Sequence, residues 1–420
     1  MNLLRRMLET LLPRPLYRAL LAPYHFFFSL SAAVAAGFPA RGITVIAVTG
    51  TKGKSSVTEM LARIFEKAGK KVATSSTIRF SIGSDEERNL YKMTLPGHGF
   101  IQAFLRRAAD ASCDIAIIEV TSEAALQSRH RFLSLDGLVF TNLQKEHLES
   151  HGGMENYFKA KYRIGTELAR SQKRPRVIVA NEDDEYGRRF LALPIEKRIP
   201  FSLSEAADVR PNGTGSSFRV DGVSVSLPQP GMMNILNALA AMKMARAFGV
   251  PYETSAAALA ELTRIPGRAE RIERGQDFAA IVDYAHTPES LSALYSAYPG
   301  RKICVLGNTG GGRDAWKRPE MGRIADEACT QVILTDEDPY DEDPEAILAA
   351  MAAGMKRAPK IILNRREAIR TALMLAQPGD TVLVSGKGTD PFIMRAKGAK
   401  EEWSDARVVT EELDKLLGTA

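Results

Sequence analysis

The sequence predicts an α/β protein built from two mostly parallel sheets in succession, and three observations carry that reading. The first is Val45-Ile46-Ala47-Val48, an apolar run that enters Thr49-Gly50-Thr51-Lys52-Gly53-Lys54-Ser55-Ser56 and is followed by Val57, Met60, Leu61, Ile64 and Phe65 at helical spacing. That is strand, glycine turn, helix. The second is a set of short apolar runs ending in a polar residue. Ile115 to Val120 carries Glu119, Gly137 to Thr141 leads to Asn142, and Val177 to Ala180 leads to Asn181 and Asp183. Continuous apolar runs are the form of parallel strands buried on both faces, and ligands gather at the carboxyl edge of such sheets. The third is a second series of strands beyond Ile265-Pro266-Gly267, at Ala279 to Asp283, Lys302 to Leu306, Gln331 to Thr335, Lys360 to Leu363 and Thr381 to Ser385.

Between these runs, Lys71 to Thr77 reads as a strand and Phe100 to Ala109 as an amphipathic helix after the Thr94-Leu95-Pro96-Gly97 turn. Phe218 to Leu227 reads as a hairpin turning at Asp221-Gly222, and Met233 to Phe248 and Ser255 to Leu262 as helices. The expected organisation is an N-terminal segment over 1–42, a nucleotide-binding domain over 43–264 and a C-terminal domain over 265–420.

The 420 residues, 45% hydrophobic and 25% charged, are ordinary globular composition. Fifty-six Lys and Arg against fifty Asp and Glu make the chain mildly basic, which suits an anionic substrate. No basic run is interleaved with aromatics, so nucleic acid is excluded as the expected partner. Cys113, Cys304 and Cys329 lack metal-ligand spacing and are expected as reduced core thiols of a cytoplasmic protein. At the front, Arg5, Arg6, Glu9 and Arg14 interrupt a leucine-rich stretch, and Ala19 to Phe38 carries no acid or fixed base. Three readings stand: a helix packed on the nucleotide domain, a membrane-surface anchor, and a span.

The glycine turn is a phosphate-binding loop of the short TGTxGKS form. Its backbone N–H groups converge at the positive end of the following helix, Lys54 reaches the outer phosphates, and the Ser55 hydroxyl suits Mg²⁺. ATP and Mg²⁺ are the expected cofactors.

Several stretches, taken in order, resemble the Mur ligases over about Ile43 to Phe392. Besides the loop they are Glu119-Val120-Thr121-Ser122, Thr141-Asn142-Leu143 with His147 and His151-Gly152, Tyr157 to Lys161, and Ala180 to Asp184. Then follow Asn234 and Asn237, Gly267-Arg268, Asp283-Tyr284-Ala285-His286-Thr287-Pro288, Gly310 to Asp314 with Lys317-Arg318-Pro319, and Gly386-Lys387-Gly388. Asp283 to Pro288 and Gly386 to Gly388 look like the branch that adds the third residue, commonly a diamino acid, to a UDP-N-acetylmuramoyl-dipeptide.

The resemblance implies a central P-loop domain and a C-terminal Rossmann-like ligase domain that closes over it. It implies amide formation through an acyl phosphate, catalysed with Lys54, His147 and Lys161, the last being the lysine that the family carbamylates. Gly50 to Ser56, Asn181, Asp183, Arg268, Asp283 and His286 correspond to nucleotide contacts, and Ser55, Glu119 and His147 to metal positions. Thr94, Pro96, Thr121, Ser122, Gln127 and Arg129 correspond to acceptor contacts, while Asp338, Tyr340, Gly386 and Asp390 face the incoming amino acid. A cytoplasmic monomer acting on small molecules is implied, and the apolar N-terminus leaves open surface contact through residues 1–38 at the inner face of the membrane.

Three departures qualify the specificity. Glu123 stands where a histidine is common. Glu337-Asp338-Pro339-Tyr340 replaces an Asp-Asn-Pro-Arg stretch, and Tyr340 cannot form the bidentate carboxylate pair of an arginine. Thr389-Asp390 replaces a His-Glu pair. The roughly 42 residues before the loop are also too few for a complete uridine-binding domain. A same-fold ligase for a lipid-linked or polyglutamate-type acceptor, and a nucleotide-binding scaffold without ligase activity, are the alternatives.

Overall fold

The computed structural model describes residues 14–146, 148–212, 215–312 and 314–418. They form two units. The first comprises Met1–Leu143, Met154–Phe201 and Lys243–Val250, the second Gln144–Gly153, Ser202–Met242 and Pro251–Ala420.

The first unit is organised on an eight-stranded sheet of order β4-β3-β2-β5-β1-β6-β7-β8. Its strands are β1 Thr44–Thr49, β2 Val72–Ser75, β3 Arg79–Ile82, β4 Asp85–Arg88, β5 Ile115–Glu119, β6 Gly137–Phe140, β7 Val177–Asn181 and β8 Lys197–Phe201. β1 lies between β5 and β6, parallel to both, so the loop that leaves it opens at the centre of the carboxyl edge. The five residues of β5 are all buried, as their apolar run requires. β3 and β4 form an antiparallel edge hairpin that hydrophobic patterning misses, because β4 is Asp85-Glu86-Glu87-Arg88 and wholly exposed. Charges of this kind protect an edge strand from further pairing.

Helix α1, Arg14–Ala35, packs against helix α3, His98–Asp110, with helix α2, Lys54–Lys67, following the loop. On α1, His25, Ser29 and Ala33 are buried at successive four-residue steps, one helical face. The packed-helix reading of the N-terminus therefore holds for α1. The span reading does not: no helix among the described residues is long and apolar enough to cross a membrane. Residues 1–13, with Arg5 and Arg6, lie outside the described residues.

In the second unit a six-stranded sheet has the order β12-β13-β17-β14-β15-β16. Preceding it is a three-stranded antiparallel sheet of β9 Ala207–Asn212, β10 Gly215–Val220 and β11 Val223–Leu227. The turn between β10 and β11 takes Asp221 and Gly222 to φ 52° and 81°, the positive pair that an Asp-Gly hairpin turn needs. The larger sheet contains β12 Glu270–Ile272, β13 Ala279–Asp283, β14 Lys302–Leu306, β15 Gln331–Leu334, β16 Lys360–Ile361 and β17 Thr381–Ser385. All its pairs are parallel except β12 with β13. A short ribbon of β18 Phe392–Met394 and β19 Lys400–Glu402 lies downstream.

Side chains alternate between the faces of the larger sheet. Ile303 and Val305 join Ile369, Leu373, Val408 and Leu413 on one side, whereas Cys304 and Leu306 join Leu291, Met321 and Leu348 on the other. That alternation brings Cys304 to Cys329 at the end of helix Lys317–Ala328. The two form a buried disulfide with Cα atoms 6.1 Å apart, which corrects the expectation of reduced thiols; only Cys113 is free. Residues 25 apart in sequence meet because strand and helix pack face to face, and spacing alone does not reveal that.

Candidate active site

The first unit gathers at one sheet edge the loop, Ser55 and Glu119 of the expected metal positions, and the residues expected to contact the acceptor. Gly50 has φ 147°, and a Cβ there would stand 1.9 Å from the Thr141 hydroxyl, so glycine is required by both conformation and space. Gly53, with φ 83°, caps α2 in the left-handed region. Asn142 clamps the loop: its Oδ1 accepts from the Lys52 N–H at 3.0 Å, and its carbonyl accepts from the Thr51 N–H at 2.8 Å. The Thr51 hydroxyl meets the Tyr157 phenol at 3.2 Å, and Lys54 Nζ donates to the Thr51 carbonyl at 2.9 Å. Ser56 is buried at the start of α2.

Ser55 at the start of α2 donates to Glu119 Oε2 at 3.0 Å. Glu119, at the end of β5, also accepts from the Thr77 N–H at 2.9 Å and from the Thr77 hydroxyl at 3.1 Å. The Thr77 hydroxyl in turn meets that of Thr94 at 2.8 Å. Ser55, Glu119, Thr77 and Thr94 thus form one chain from the phosphate loop to a residue expected to contact the acceptor. Thr77 and Tyr157 had no assigned role in the sequence reading, although Thr77 follows a legible strand.

A hydroxyl and a carboxylate at a helix N-terminus are hard oxygen donors, the chemistry that Mg²⁺ takes. His147, the third expected metal position, lies outside the described residues. Among the described residues no three His, Cys, Asp or Glu side chains converge as a metal cluster. Lys161 is buried, donates to the Gly50 carbonyl at 2.7 Å, and places Nζ 4.7 Å from the Tyr157 ring centre. The lysine expected to be modified therefore stands directly against the loop.

Thr121 caps the short helix Ser122–Leu126, accepting from the Ala124 N–H, and Ser122 is buried behind it. Glu123 on the same turn is exposed. Arg129 donates one arm to the Leu95 carbonyl, beside Thr94 and Pro96, and the other to Gln127 Oε1 at 2.5 Å. Asn181 closes an Asx turn on the Asp183 N–H at 3.0 Å, and the next residue, Asp184, caps helix Glu185–Leu191.

The remaining positions fall in the second unit. Arg268 lays its guanidinium 4.5 Å from the Tyr284 ring centre. Asp283 accepts from the Ala269 and Ala285 N–H groups at 2.6 and 2.7 Å. His286 engages both ring nitrogens, Nδ1 with the Tyr284 carbonyl at 2.7 Å and Nε2 with Glu146 Oε1 at 2.8 Å.

At the carboxyl edge of β14, β15 and β17 sits a buried ion cluster. Lys387 Nζ is 2.8 Å from Asp338 Oδ1, 3.4 Å from Asp390 Oδ2, and donates to the Phe392 carbonyl at 2.7 Å. Burial pulls the Lys387 pKa down, but Asp390 and Asp338 outweigh it and hold the ammonium above its ordinary value. Asp338 and Asp390, expected to face the incoming amino acid, therefore already face an internal cation. Tyr340 has φ 55° and donates its N–H to the Met394 carbonyl at 3.2 Å. Gly386, with φ 108°, packs so closely on Glu337 that a Cβ would meet Oε2 at 2.2 Å. Burial raises the Glu337 pKa, partly countered by Arg365.

Comparison with known proteins agrees with this geometry. Residues 48–245 match the Mur ligase middle domain and 267–388 the Mur ligase glutamate ligase domain. The UDP-N-acetylmuramoyl-L-alanyl-D-glutamate–2,6-diaminopimelate ligase of Syntrophomonas wolfei is 36% identical over 96% of this chain and 83% of its own length. The UDP-N-acetylmuramyl-tripeptide synthetase of Roseiflexus is 38% identical over 85% of this chain and 76% of its own length. Among solved structures, a UDP-N-acetylmuramoyl-L-alanyl-D-glutamate–2,6-diaminopimelate ligase aligns with TM-score 0.62 and 28% identity, covering 89% of this chain and 79% of that one. Folylpolyglutamate synthase of Mycobacterium tuberculosis, 17% identical with TM-score 0.71 over 93% and 95% of the two chains, shares the fold. By sequence, fold and the loop at the centre of its first sheet, this chain belongs to the Mur ligase family, the ATP-dependent ligases that form amide bonds.

Proposed function

We propose that the chain adds an amino acid, a diamino acid in our reading, to a UDP-N-acetylmuramoyl-peptide in peptidoglycan precursor synthesis. The observation that carries this is the hydrogen-bonded chain Ser55–Glu119–Thr77–Thr94, which runs from the phosphate loop to an acceptor position. The proposed organisation is a nucleotide-binding domain over 43–264 and a ligase domain over 265–420, acting as a monomer on small molecules.

ATP with Mg²⁺ supplies the phosphoryl group that activates the acceptor carboxylate. Gly50 to Ser56 present backbone N–H groups to phosphate, Lys54 offsets its charge, and Ser55 with Glu119 and His147 would hold the metal. Carbamylated Lys161 would add a carboxylate-like group beside the loop. Asn181, Asp183, Arg268, Asp283 and His286 serve the nucleotide, and Thr121, Ser122, Gln127 and Arg129 grip the acceptor with Thr94 and Pro96. Asp338, Tyr340, Gly386 and Asp390 shape the amino-acid site.

Phosphate release from ATP, measured with acceptors crossed against lysine, diaminopimelate, ornithine, alanine and glutamate, tests this reading. Release that needs both UDP-N-acetylmuramoyl-dipeptide and one diamino acid is expected, with the joined product seen by mass spectrometry. Release with a lipid-linked or polyglutamate-type acceptor alone would replace the substrate. Nucleotide binding without acceptor-dependent release would leave a scaffold.

We also place the chain in the cytoplasm, at the inner face of the membrane. Leu20, Phe27 and Val34 are exposed on α1 at seven-residue spacing, and Arg5, Arg6, Arg14 and Arg18 outnumber Glu9 in the sequence around its start. Apolar surface beside basic charge fits an anionic lipid surface. Flotation with phosphatidylglycerol vesicles, lost in Phe27→Asp and in high salt, is the expected result; no flotation of the unaltered chain would remove the membrane from this reading.

A further inference from the structure

Helix α1 lies before both matched family segments, yet its buried face ends on residues of the acceptor site. Ser29 Oγ donates to the Ser128 carbonyl at 2.9 Å. His98 Nε2, at the first turn of α3, lies 2.9 Å from the Gln127 carbonyl and 3.1 Å from His25 Nδ1. A carbonyl only accepts, so His98 Nε2 carries a proton, and that one proton is shared between two acceptors, the Gln127 carbonyl and His25 Nδ1. The two imidazoles stack with centres 5.1 Å apart. One residue along α1, Phe26 packs 5.6 Å from Phe132 and 5.5 Å from the Arg131 guanidinium.

Three neighbouring points on residues 127–132, the Ser128 carbonyl and the Arg131 and Phe132 side chains, are therefore met directly by Ser29 and Phe26 of one helix, and a fourth, the Gln127 carbonyl, is reached from His25 through His98. The same segment reaches the other acceptor stretch, because Arg129 bridges Gln127 to the carbonyl of Leu95. The fork of Arg129 can present a fixed geometry only if Gln127 and the backbone beside it are fixed. That backbone is held in part by its own turn and by the Glu167 carboxylate, which accepts from the Phe132 N–H at 3.0 Å, while the carbonyls of Gln127 and Ser128 are held by His98, which α1 itself contacts, and by Ser29 of α1. Burial and the nearby Arg129 lower the His98 pKa, in keeping with a neutral ring at this contact.

We propose that α1 is a working part of the acceptor site, with His25 and Ser29 as positioning residues that set Gln127 and Arg129 for the acceptor's sugar and peptide. The inference rests on the reading of Thr94, Pro96, Gln127 and Arg129 as acceptor contacts. It assigns a role in acceptor recognition to a segment outside the two matched domains. The His25–His98 contact and the Ser29–Ser128 hydrogen bond lead to the segment carrying Gln127 and Arg129 and not to the nucleotide loop or Glu119, so their effect should be confined to the acceptor.

The test is steady-state kinetics on the full chain with UDP-N-acetylmuramoyl-dipeptide, ATP and the amino acid that supports turnover. His25→Ala should raise the KM for the acceptor roughly fivefold to tenfold, the scale of a lost hydrogen bond, with the KM for ATP unchanged. His25→Asn, whose Oδ1 can accept in place of Nδ1, should recover most of that loss, and Ser29→Ala should act in the same direction with smaller size. An unchanged acceptor KM, equal rises for ATP and acceptor, or no recovery in His25→Asn would overturn the proposal. If His25→Ala does not fold, the comparison of Ser29→Ala and His25→Asn with the unaltered chain decides by the same criteria. Absence of turnover in the unaltered chain with every acceptor would remove the ligase reading, and this inference with it.

Discussion

The phosphate loop of the first unit and the ion cluster of the second hold charge in opposite ways. Around the loop, Asn142 braces the backbone, and Glu119 takes three hydrogen bonds from Ser55 and Thr77, all neutral donors. Around Lys387, one ammonium lies between Asp338 and Asp390 inside the domain, and burial makes the three interdependent. The first arrangement is prepared for a ligand's charge, whereas the second largely satisfies its own. Substitutions at the loop should therefore remove activity before stability, and those at the cluster should remove stability first.

The largest effect is expected from Lys54→Ala. Loss of a cation aimed at developing phosphate charge should lower kcat by about a hundredfold to a thousandfold, with the melting temperature nearly unchanged. A large drop in melting temperature would break the contrast. Next, Lys387→Met strands Asp338 and Asp390 in the interior and should cost about 3–5 kcal/mol of folding free energy in a urea titration. A stable Lys387→Met protein with altered amino-acid preference would instead make the cluster a recognition site.

The disulfide sharpens the comparison within the second unit. It closes a loop of 25 residues, so its reduction should lower stability by about 3 kcal/mol while nucleotide binding by the first unit persists. Denaturation with and without dithiothreitol, paired with a fluorescent ATP analogue, measures both.

The most graded effect is that of pH. Burial and then Arg131 push the His130 pKa down to about 3. The unfolded chain therefore binds the extra proton first, and stability supplied by neutral His130 is lost as pH falls from about 6.5 toward 3, at about 1.4 kcal/mol per unit. His98 is depressed in the same direction. Glu337 has the opposite sign, because its raised pKa favours the folded state at low pH and that contribution fades as pH rises through the folded value. Denaturation at pH 4 to 7 with His130→Phe should show a flatter acid limb; an unaltered limb would mean that other groups set it.

Legibility in the sequence followed the range of the interaction. β1, β5, β13, β14 and β17 were readable because a strand buried on both faces must be apolar throughout, and the Asp221-Gly222 hairpin because its turn needs two positive φ angles. β4, β9, β12 and the β18–β19 ribbon were not readable, since short or exposed strands are made by their neighbours rather than by their own pattern. The site divided in the same way. Gly50 to Ser56 and Glu119 stand on local signals, whereas the roles of Thr77, Asn142 and Tyr157 in bracing the loop depend on strands far apart in the chain.

What the sequence by itself determined is the chemistry available: a glycine turn between strand and helix whose backbone N–H groups suit phosphate, acids and amides at strand ends, and a charge-free stretch from Ala19 to Phe38. Each follows from backbone geometry or residue type within a few positions. The tertiary structure decided the pairings: Cys304 with Cys329, Lys387 with Asp338 and Asp390, and α1 with the segment carrying Gln127 and Arg129. Those depend on which faces pack together, and a linear pattern sets the faces of each element without setting which element each face will meet.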